Sequence, residues 1–432
     1  MKKKVAFYTL GCKVNQYETN AMKQKFMEEN YEIVKFEQSA DIYVVNTCTV
    51  TNMSDRKSRQ IIRRVKEKNE KAILVVTGCY AQVAKEELEK IKKIDIVIGN
   101  QEKRDIVSYI KKYQKERQQS VSDILYEKEF AEFGTISYTD KTRAVIKIQD
   151  GCDRFCSYCI IPYARGRIRS RKQEEVVQEI KEIAKKGIKE VVITGIHLAS
   201  YGRDVKNEFL LLNVLKEVND IQEIKRIRLG SLEPTLMKRE FILELAKLEK
   251  VCDHFHLSLQ SGCNSTLERM NRRYSVEEFE KGINFIRKNY PNVSLTTDII
   301  VGFPGETEEE FKNTYKFLEK MQFYKMHIFQ YSPRKGTKAA LMSEQISSEI
   351  KEKRSRILIE LSNKNQERQN EKYIGKELEV LFEEQDGQYL KGHTSNYVMV
   401  YVKWNNVSLE NTIKKVRIKG LLGENLMGEI IY

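Results

Sequence analysis

Ala144-Val-Ile-Lys-Ile-Gln-Asp-Gly-Cys152-Asp-Arg-Phe-Cys156-Ser-Tyr-Cys159 joins an apolar run to three cysteines spaced within eight residues. The run 144–149 predicts a buried strand. Three thiols so close in the chain converge readily on one metal centre. Structural zinc takes four N or S ligands, and no histidine or fourth cysteine lies nearby. Three thiolates on a four-iron cluster instead leave one iron open to a small chelating molecule. A loop following a first barrel strand suits this role, because active sites of β/α barrels gather at the carboxyl ends of the strands.

Downstream of the cysteine loop, strand patterns at 190–194, 226–230, 254–260, 294–301 and 326–331 alternate with helical patterns such as 173–186 and 308–321. Six such units predict a partial (β/α)6, TIM-like barrel over residues 141–342. Upstream, strands at 4–10, 41–46, 72–77 and 94–98 alternate with helices at 15–30, 54–69 and 81–91. Residues 1–114 therefore read as a parallel α/β domain of flavodoxin or Rossmann type. The polar stretch 115–140 reads as a linker. Residues 343–372 read as a connecting helix, packed through Ile346, Ile350, Ile357 and Leu361. Over 373–432 only short strands are expected (378–382, 398–404, 412–419 and 428–432), which predicts a small β-barrel. The fold class is α/β with a β-barrel appended.

A second set of cysteines is scattered in sequence but regular in topology. Cys12, Cys48 and Cys79 each follow one of the first three N-terminal strands and precede a helix. A parallel sheet would bring all three to one edge, outside the carboxyl ends of the strands. Helix N-termini also favour thiolates. Cys252 and Cys263 lack partners at ligand spacing and are expected to be a core thiol and a loop thiol. His197 reads as a surface or packing residue, and His254 and His256 as a satisfied core pair.

The chain has 432 residues, 41% of them apolar, and a net charge of +14. That composition argues against a disordered chain and suits a polyanionic partner, nucleic acid or an anionic membrane surface, with a Lys-rich surface lacking such a partner as the alternative. From Lys141 to Lys172, nine Lys or Arg face two Asp. Arg165, Arg167, Arg169 and Arg171 recur every second residue there and suit nucleic-acid phosphate contacts at the mouth of the barrel, with binding of a small carboxylate or closing of the barrel as the alternatives. The C-terminal unit has seven Lys or Arg against eight Asp or Glu; Lys414, Lys415, Arg417 and Lys419 form its basic strip, and Tyr397, Tyr401 and Trp404 are candidates for base stacking or core packing. No apolar run approaches the roughly 18 residues of a membrane span, and the start of the chain lacks a signal-peptide pattern. A cytoplasmic protein without a membrane partner is expected.

The Cys152–Cys159 loop resembles the signature of the radical S-adenosylmethionine (SAM) superfamily. The chain as a whole resembles the methylthiotransferase family, which joins a three-cysteine N-terminal domain, a radical SAM barrel and a C-terminal TRAM β-barrel. The motifs that carry this are Thr9-Leu-Gly-Cys12-Lys-Val-Asn-Gln-Tyr-Glu-Thr19, Asn46-Thr-Cys48, Thr77-Gly-Cys79, Leu257-Ser-Leu-Gln-Ser-Gly262, Asp298-Ile-Ile-Val-Gly-Phe-Pro-Gly-Glu306 and Tyr331-Ser-Pro-Arg334. The resemblance implies two 4Fe–4S clusters, one on Cys152, Cys156 and Cys159 and one on Cys12, Cys48 and Cys79. It implies SAM as both radical source and methyl donor, with Tyr158 beside its adenine. Gly195, Ser231, Glu233, Gln260 and Asp298, at or near strand ends, are the expected further SAM contacts.

The first motif is similar to that of enzymes acting on threonylcarbamoyladenosine beside the tRNA anticodon. Isopentenyladenosine enzymes tend to have Gly-Cys-Gln-Met-Asn there, and relatives that modify an aspartate of a ribosomal protein tend to have Gly-Cys-Pro-Lys-Asn. Expected partners are the tRNA anticodon stem-loop, an electron donor such as flavodoxin or ferredoxin, and a sulfur donor. The alternatives are those other two substrates and, more remotely, a non-catalytic RNA-binding metal protein.

Overall fold

The computed structural model describes residues 2–139, 142–404 and 407–431. Its N-terminal unit contains β1 (Lys4–Thr9), α1 (Lys13–Glu28), β2 (Glu32–Val34), β3 (Ile42–Thr47), α2 (Asn52–Lys68), β4 (Ile73–Gly78), α3 (Cys79–Val83), α4 (Lys85–Glu89), β5 (Ile96–Ile98), α5 (Ile106–Lys112) and β6 (Gln118–Ser120). The strands form one parallel sheet in the order β2-β1-β3-β4-β5-β6. Its two faces follow from alternation along each strand. Val5, Ile42, Val44 and Val75 pack beneath Tyr17, Ala21 and Phe26 of α1. Ala6, Tyr43, Val45 and Val76 pack on Ile61, Ile62 and Val65 of α2. The chain leaves β1 toward β2 on one side and returns to β3 on the other, so a crevice opens between the carboxyl ends of β1 and β3.

Residues 115–139 are not a free linker. Gln118–Ser120 adds a sixth strand to β5, with Ile96 opposite Gln118. Ala131, Phe133 and Ile136 are buried against the α1 side of the sheet, and Phe130 is buried under the Lys147 ammonium. A short edge strand is held by backbone hydrogen bonds, so its polar side chains carry no apolar signal.

The central unit runs β7 (Arg143–Asp150), α6 (Ile161–Arg165), β8 (Arg169–Ser170), α7 (Gln173–Lys185), β9 (Glu190–Gly195), α8 (Leu210–Asn219), β10 (Arg226–Leu229), β11 (Ser231–Leu232), α9 (Arg239–Leu245), β12 (His254–Gln260), α10 (Asn264–Arg269), α11 (Val276–Asn289), β13 (Ser294–Val301), α12 (Glu308–Met321) and β14 (Lys325–Gln330). Parallel pairing runs from β7 through β9 to β10 and from β11 through β12 and β13 to β14, with β10 and β11 interrupted only at Gly230. Six β/α units thus curve into an open barrel. Capping boxes Ser275/Glu278 and Thr307/Glu310 start α11 and α12. The long α13 (Ser348–Glu371) leads to β15 (Glu377–Asp386), β16 (Tyr389–Thr394), β17 (Met399–Lys403), β18 (Ile413–Leu422) and β19 (Asn425–Ile430), a closed barrel in the order β15-β16-β17-β19-β18.

This small barrel seals the amino-terminal end of the large one. Arg226 donates to the carbonyls of His393 and Glu379 at 2.8 and 2.9 Å, and Arg228 donates to that of Ser395 at 2.9 Å. Tyr397 stacks on His393 and on His254, with ring centroids 4.5 and 4.8 Å apart, beneath the guanidiniums of Arg143 and Arg228. Tyr397 is therefore committed to the joint between the barrels and is not free to stack on a base.

Candidate active site

The crevice edge collects the first cysteine set. Cys12 is the N-cap of α1 and is exposed; Cys48 follows β3 and Cys79 opens α3, both buried. Their charges act on one another, which places the three thiols around one point. Two glycines permit this. Gly11 has φ +97°, and a Cβ there would sit 2.9 Å from Cys48 Sγ; Gly78 has φ +100°, and a Cβ there would meet Thr47 O at 2.4 Å. Both the backbone conformation and the contact exclude a side chain. Gly78→Ala is expected to cost about 3 kcal/mol from left-handed strain plus overpacking, read as a lower denaturant midpoint; an unchanged midpoint would count against this packing.

Behind the thiols lies a buried charge network. Glu18 receives Arg165, Lys103 and Lys147, while Asp150 receives Lys147 at 2.6 Å and lies 3.4 Å from Arg165 and 3.8 Å from Arg169. All six groups are buried. Four cations meet two carboxylates, and Arg165 points Nε at Cys79 Sγ, 3.2 Å away. The surplus positive charge suits an anionic thiolate cluster at this edge.

The second set sits on the loop after β7. Cys152 and Cys156 are buried and Cys159 is half-buried. Burial pushes the Cys152 thiol up to about 11 and the Cys159 thiol to about 12, so metal loading must displace protons. Arg272 donates to Cys156 Sγ at 3.2 Å. The loop is fixed from below: Ser157 N–H donates to Met270 O, and Ala339 N–H donates to Ser157 O. Tyr158 packs edge-on against Phe303, 6.4 Å between centroids.

Both sets fit iron–sulfur clusters better than zinc. Among the described residues, only His256, Asp298 and His327 bring three candidate ligand atoms within 4.8 Å of one another. Neither cysteine triad closes that far. One zinc at about 2.3 Å from each sulfur would draw the thiols to about 4 Å. The wider setting of three thiols suits a multi-iron cluster with one open iron.

Residues 146–318 match the Radical SAM superfamily, and residues 4–99 match "Uncharacterized protein family UPF0004". The threonylcarbamoyladenosine tRNA methylthiotransferase of Bacillus subtilis is 43% identical over 418 residues, 95% of this chain and 92% of that one. The chain belongs to the methylthiotransferase family. A relative named tRNA-2-methylthio-N(6)-dimethylallyladenosine synthase, from Clostridium tetani, is 33% identical over 98% of this chain and 95% of its own. The higher identity puts this methylthiotransferase on the threonylcarbamoyladenosine branch. The radical SAM methyltransferase TsrM of Kitasatospora setae, solved with cobalamin and a [4Fe-4S] cluster, has a TM-score of 0.57 at 16% identity, covering 79% of this chain and 77% of that chain. That likeness is one of fold.

Three of the four arginines expected on RNA are interior in this methylthiotransferase. Arg165 and Arg169 belong to the buried network above. Arg171 is buried against Glu179 at 2.8 Å and beside Tyr17. Arg165 ends α6 and reaches Asn15 and Glu18 of the N-terminal unit, Arg169 lies on β8, and Arg171 reaches Tyr17 of α1. Only Arg167 is exposed, lying over the Phe155 ring. Exposed cations on α2, the helix that follows Cys48, are Arg56, Lys57, Arg63 and Arg64.

The expected SAM residues occupy varied settings. Glu233 is buried and engaged by Arg154, by Thr235, by His197 Nε2 at 3.0 Å and by Arg272 at 3.5 Å. Burial raises its pKa, but His197, Arg272 and Arg154 outweigh it and hold the carboxyl at about 2. His197, expected at the surface or in packing, is therefore an acid's partner. Gln260 ends β12 with φ +74°, and Ser231 is exposed at the start of β11. Gly195 lies against Gln149, which would meet a Cβ there at 2.8 Å. Asp298 pairs with His256 Nε2 at 3.1 Å, and His254 and His256 share the Thr296 hydroxyl. Arg272, Arg154 and Gln149 went unread in the sequence, since nothing in their neighbourhoods signals the tertiary contact.

Proposed function

We propose that the protein is a tRNA methylthiotransferase that converts N6-threonylcarbamoyladenosine beside the anticodon to its 2-methylthio derivative. The observation that carries this is the pair of three-cysteine sets joined by α6. That helix starts two residues after Cys159 and ends at Arg165 on Cys79. When loaded, a cluster held by Cys152, Cys156 and Cys159 would supply the electron for reductive cleavage of SAM, one held by Cys12, Cys48 and Cys79 would hold the sulfur for insertion, and a second SAM would give the methyl group. An adenine C2–H has no useful acidity, so abstraction by a radical fits where a base does not.

The chain's own residues bind and orient. Tyr158, backed by Phe303, presents a flat apolar wall for the adenine of SAM. Gly195, Ser231, Glu233, Gln260 and Asp298 line its remaining contacts, with Glu233 also holding Arg154 and Arg272 around the cysteine loop. Arg56, Lys57, Arg63, Arg64 and Arg167 offer exposed charge for the anticodon stem-loop, and Lys414 and Lys415 extend it on the small barrel. The reaction also requires a low-potential electron donor of flavodoxin or ferredoxin kind, a sulfur donor, and the cytoplasm as its setting. Among the described residues no helix is long and apolar enough to cross a membrane.

Nucleoside mass spectrometry of tRNA from a deletion strain is the test. Loss of 2-methylthio-N6-threonylcarbamoyladenosine, with its unmethylthiolated precursor retained, is expected. Loss of a different methylthio product would overturn the substrate assignment.

A further inference from the structure

Strands β12, β13 and β14 lie side by side and pair in parallel. Side chains alternate along each strand between the two faces of a sheet. Phe255 and Leu257 of β12, Ile299 of β13 and Met326 of β14 belong to the apolar core beneath the helices. Their neighbours therefore face the other way, into the lumen of the open barrel: His254 and His256, Thr296 and Asp298, and His327. The ladder sets these groups at one depth. His256 lies opposite Thr296, and Asp298 lies opposite His327. One wall of the lumen thus carries histidines and a carboxylate that neither cysteine set uses.

Three of these groups converge. His256 Nε2 stands 3.1 Å from Asp298 Oδ2, the His256 and His327 ring centroids are 5.7 Å apart, and one ligand atom from each residue lies within 4.8 Å of the others. A metal held at about 2.1 Å by nitrogen and oxygen sets neighbouring ligand atoms about 3.0–3.4 Å apart. The His256–Asp298 pair already has that spacing. Among the described residues His327 has no hydrogen bond or ion pair, so its exposed ring can close the remaining gap. Behind the pair, the buried Thr296 hydroxyl lies 3.0 Å from His256 Nδ1 and 3.1 Å from His254 Nε2. Anchoring Nδ1 fixes the ring and leaves Nε2 as its ligand atom, as outer partners of metal-bound histidines do. The side chains of His256 and Asp298 are 14% and 29% exposed, shielded yet open to an entering ion. An ion pair would account for His256 and Asp298 but leaves the second histidine without a role.

We propose that His256, Asp298 and His327 form a mononuclear site for a divalent transition metal of the zinc or iron(II) kind, distinct from both cysteine sets. Two imidazoles and one carboxylate are a donor set that such ions take. Three protein ligands leave at least one position, which faces the lumen and is open to water or another oxygen donor. Asp298 binds through Oδ2, so Oδ1 remains for the contact to SAM proposed above. The site stands or falls independently of which nucleoside is the substrate.

The test uses the full chain with its iron–sulfur sites reconstituted anaerobically, freed of loose metal by a chelator and desalting, then given an equimolar amount of zinc sulfate. Elemental analysis gives retained zinc, competition with a chromophoric chelator gives affinity, and X-ray absorption at the zinc edge gives the donor atoms. The wild type is expected to retain about one zinc per chain in a shell of nitrogen and oxygen only. His327→Ala and His256→Asn are expected to bind zinc at least about tenfold more weakly, since changes to outer partners alone cost about 10- to 100-fold at such sites. The His327 side chain is exposed, so its truncation is expected to leave the iron content and the urea midpoint at their wild-type values. Sulfur neighbours at about 2.3 Å would put the zinc on a cysteine set and overturn the proposal. So would a wild type that keeps no zinc, or a His327→Ala protein that binds it as tightly.

Discussion

Glu18→Gln is expected to lower the stability of the metal-free protein by about 3–5 kcal/mol, the usual consequence of removing one partner of a buried ion network. Glu18 joins the N-terminal unit to the barrel: Arg165 and Lys147 reach it from the barrel, and Lys103 from its own unit. Without its charge, four buried cations face only Asp150. The measurement is the urea midpoint under anaerobic conditions, with the exposed Glu28→Gln as the control. A midpoint equal to wild type would show that the cations find water in the folded state. Burial raises the Asp150 carboxyl, but Lys147, Arg165 and Arg169 outweigh it and hold the pKa at about 2. A carboxyl depressed in this way stabilises fully above its unfolded value near pH 4. That stabilisation is lost as the pH falls through about 2.

Cys12→Ala is expected to abolish the methylthio product while 5′-deoxyadenosine still forms from SAM; Cys156→Ala is expected to abolish both. Cys12 is the exposed member of its set, so its truncation leaves the core of the N-terminal unit intact. Cys156 is buried under Arg272 within the loop that would hold the other cluster. Chromatographic quantification of 5′-deoxyadenosine beside mass spectrometry of the RNA separates the two outcomes. Loss of 5′-deoxyadenosine in a folded Cys12→Ala protein would mean that the two sets do not divide the chemistry.

The arginine result shows how far periodicity can be trusted. Arg165, Arg167, Arg169 and Arg171 read as one exposed basic strip because charge at every second residue usually faces solvent. Here the buried face meets Glu18, Asp150 and Glu179. Two of those acids, Glu18 and Glu179, stand on α1 and α7. A residue's partner across a domain joint leaves no trace in its own neighbourhood.

The sequence by itself determined the three-part fold and both cysteine sets. Six alternating β/α units carry their own apolar periods, and the Cys152–Cys159 spacing is local chemistry. Cys12, Cys48 and Cys79 were legible because a parallel sheet puts the carboxyl ends of its strands at one edge. Tertiary structure alone decided which charges are buried and where the small barrel docks. Those outcomes depend on contacts between residues far apart in the chain, such as Arg165 with Glu18 and Tyr397 with His254, and such contacts have no sequence period to announce them.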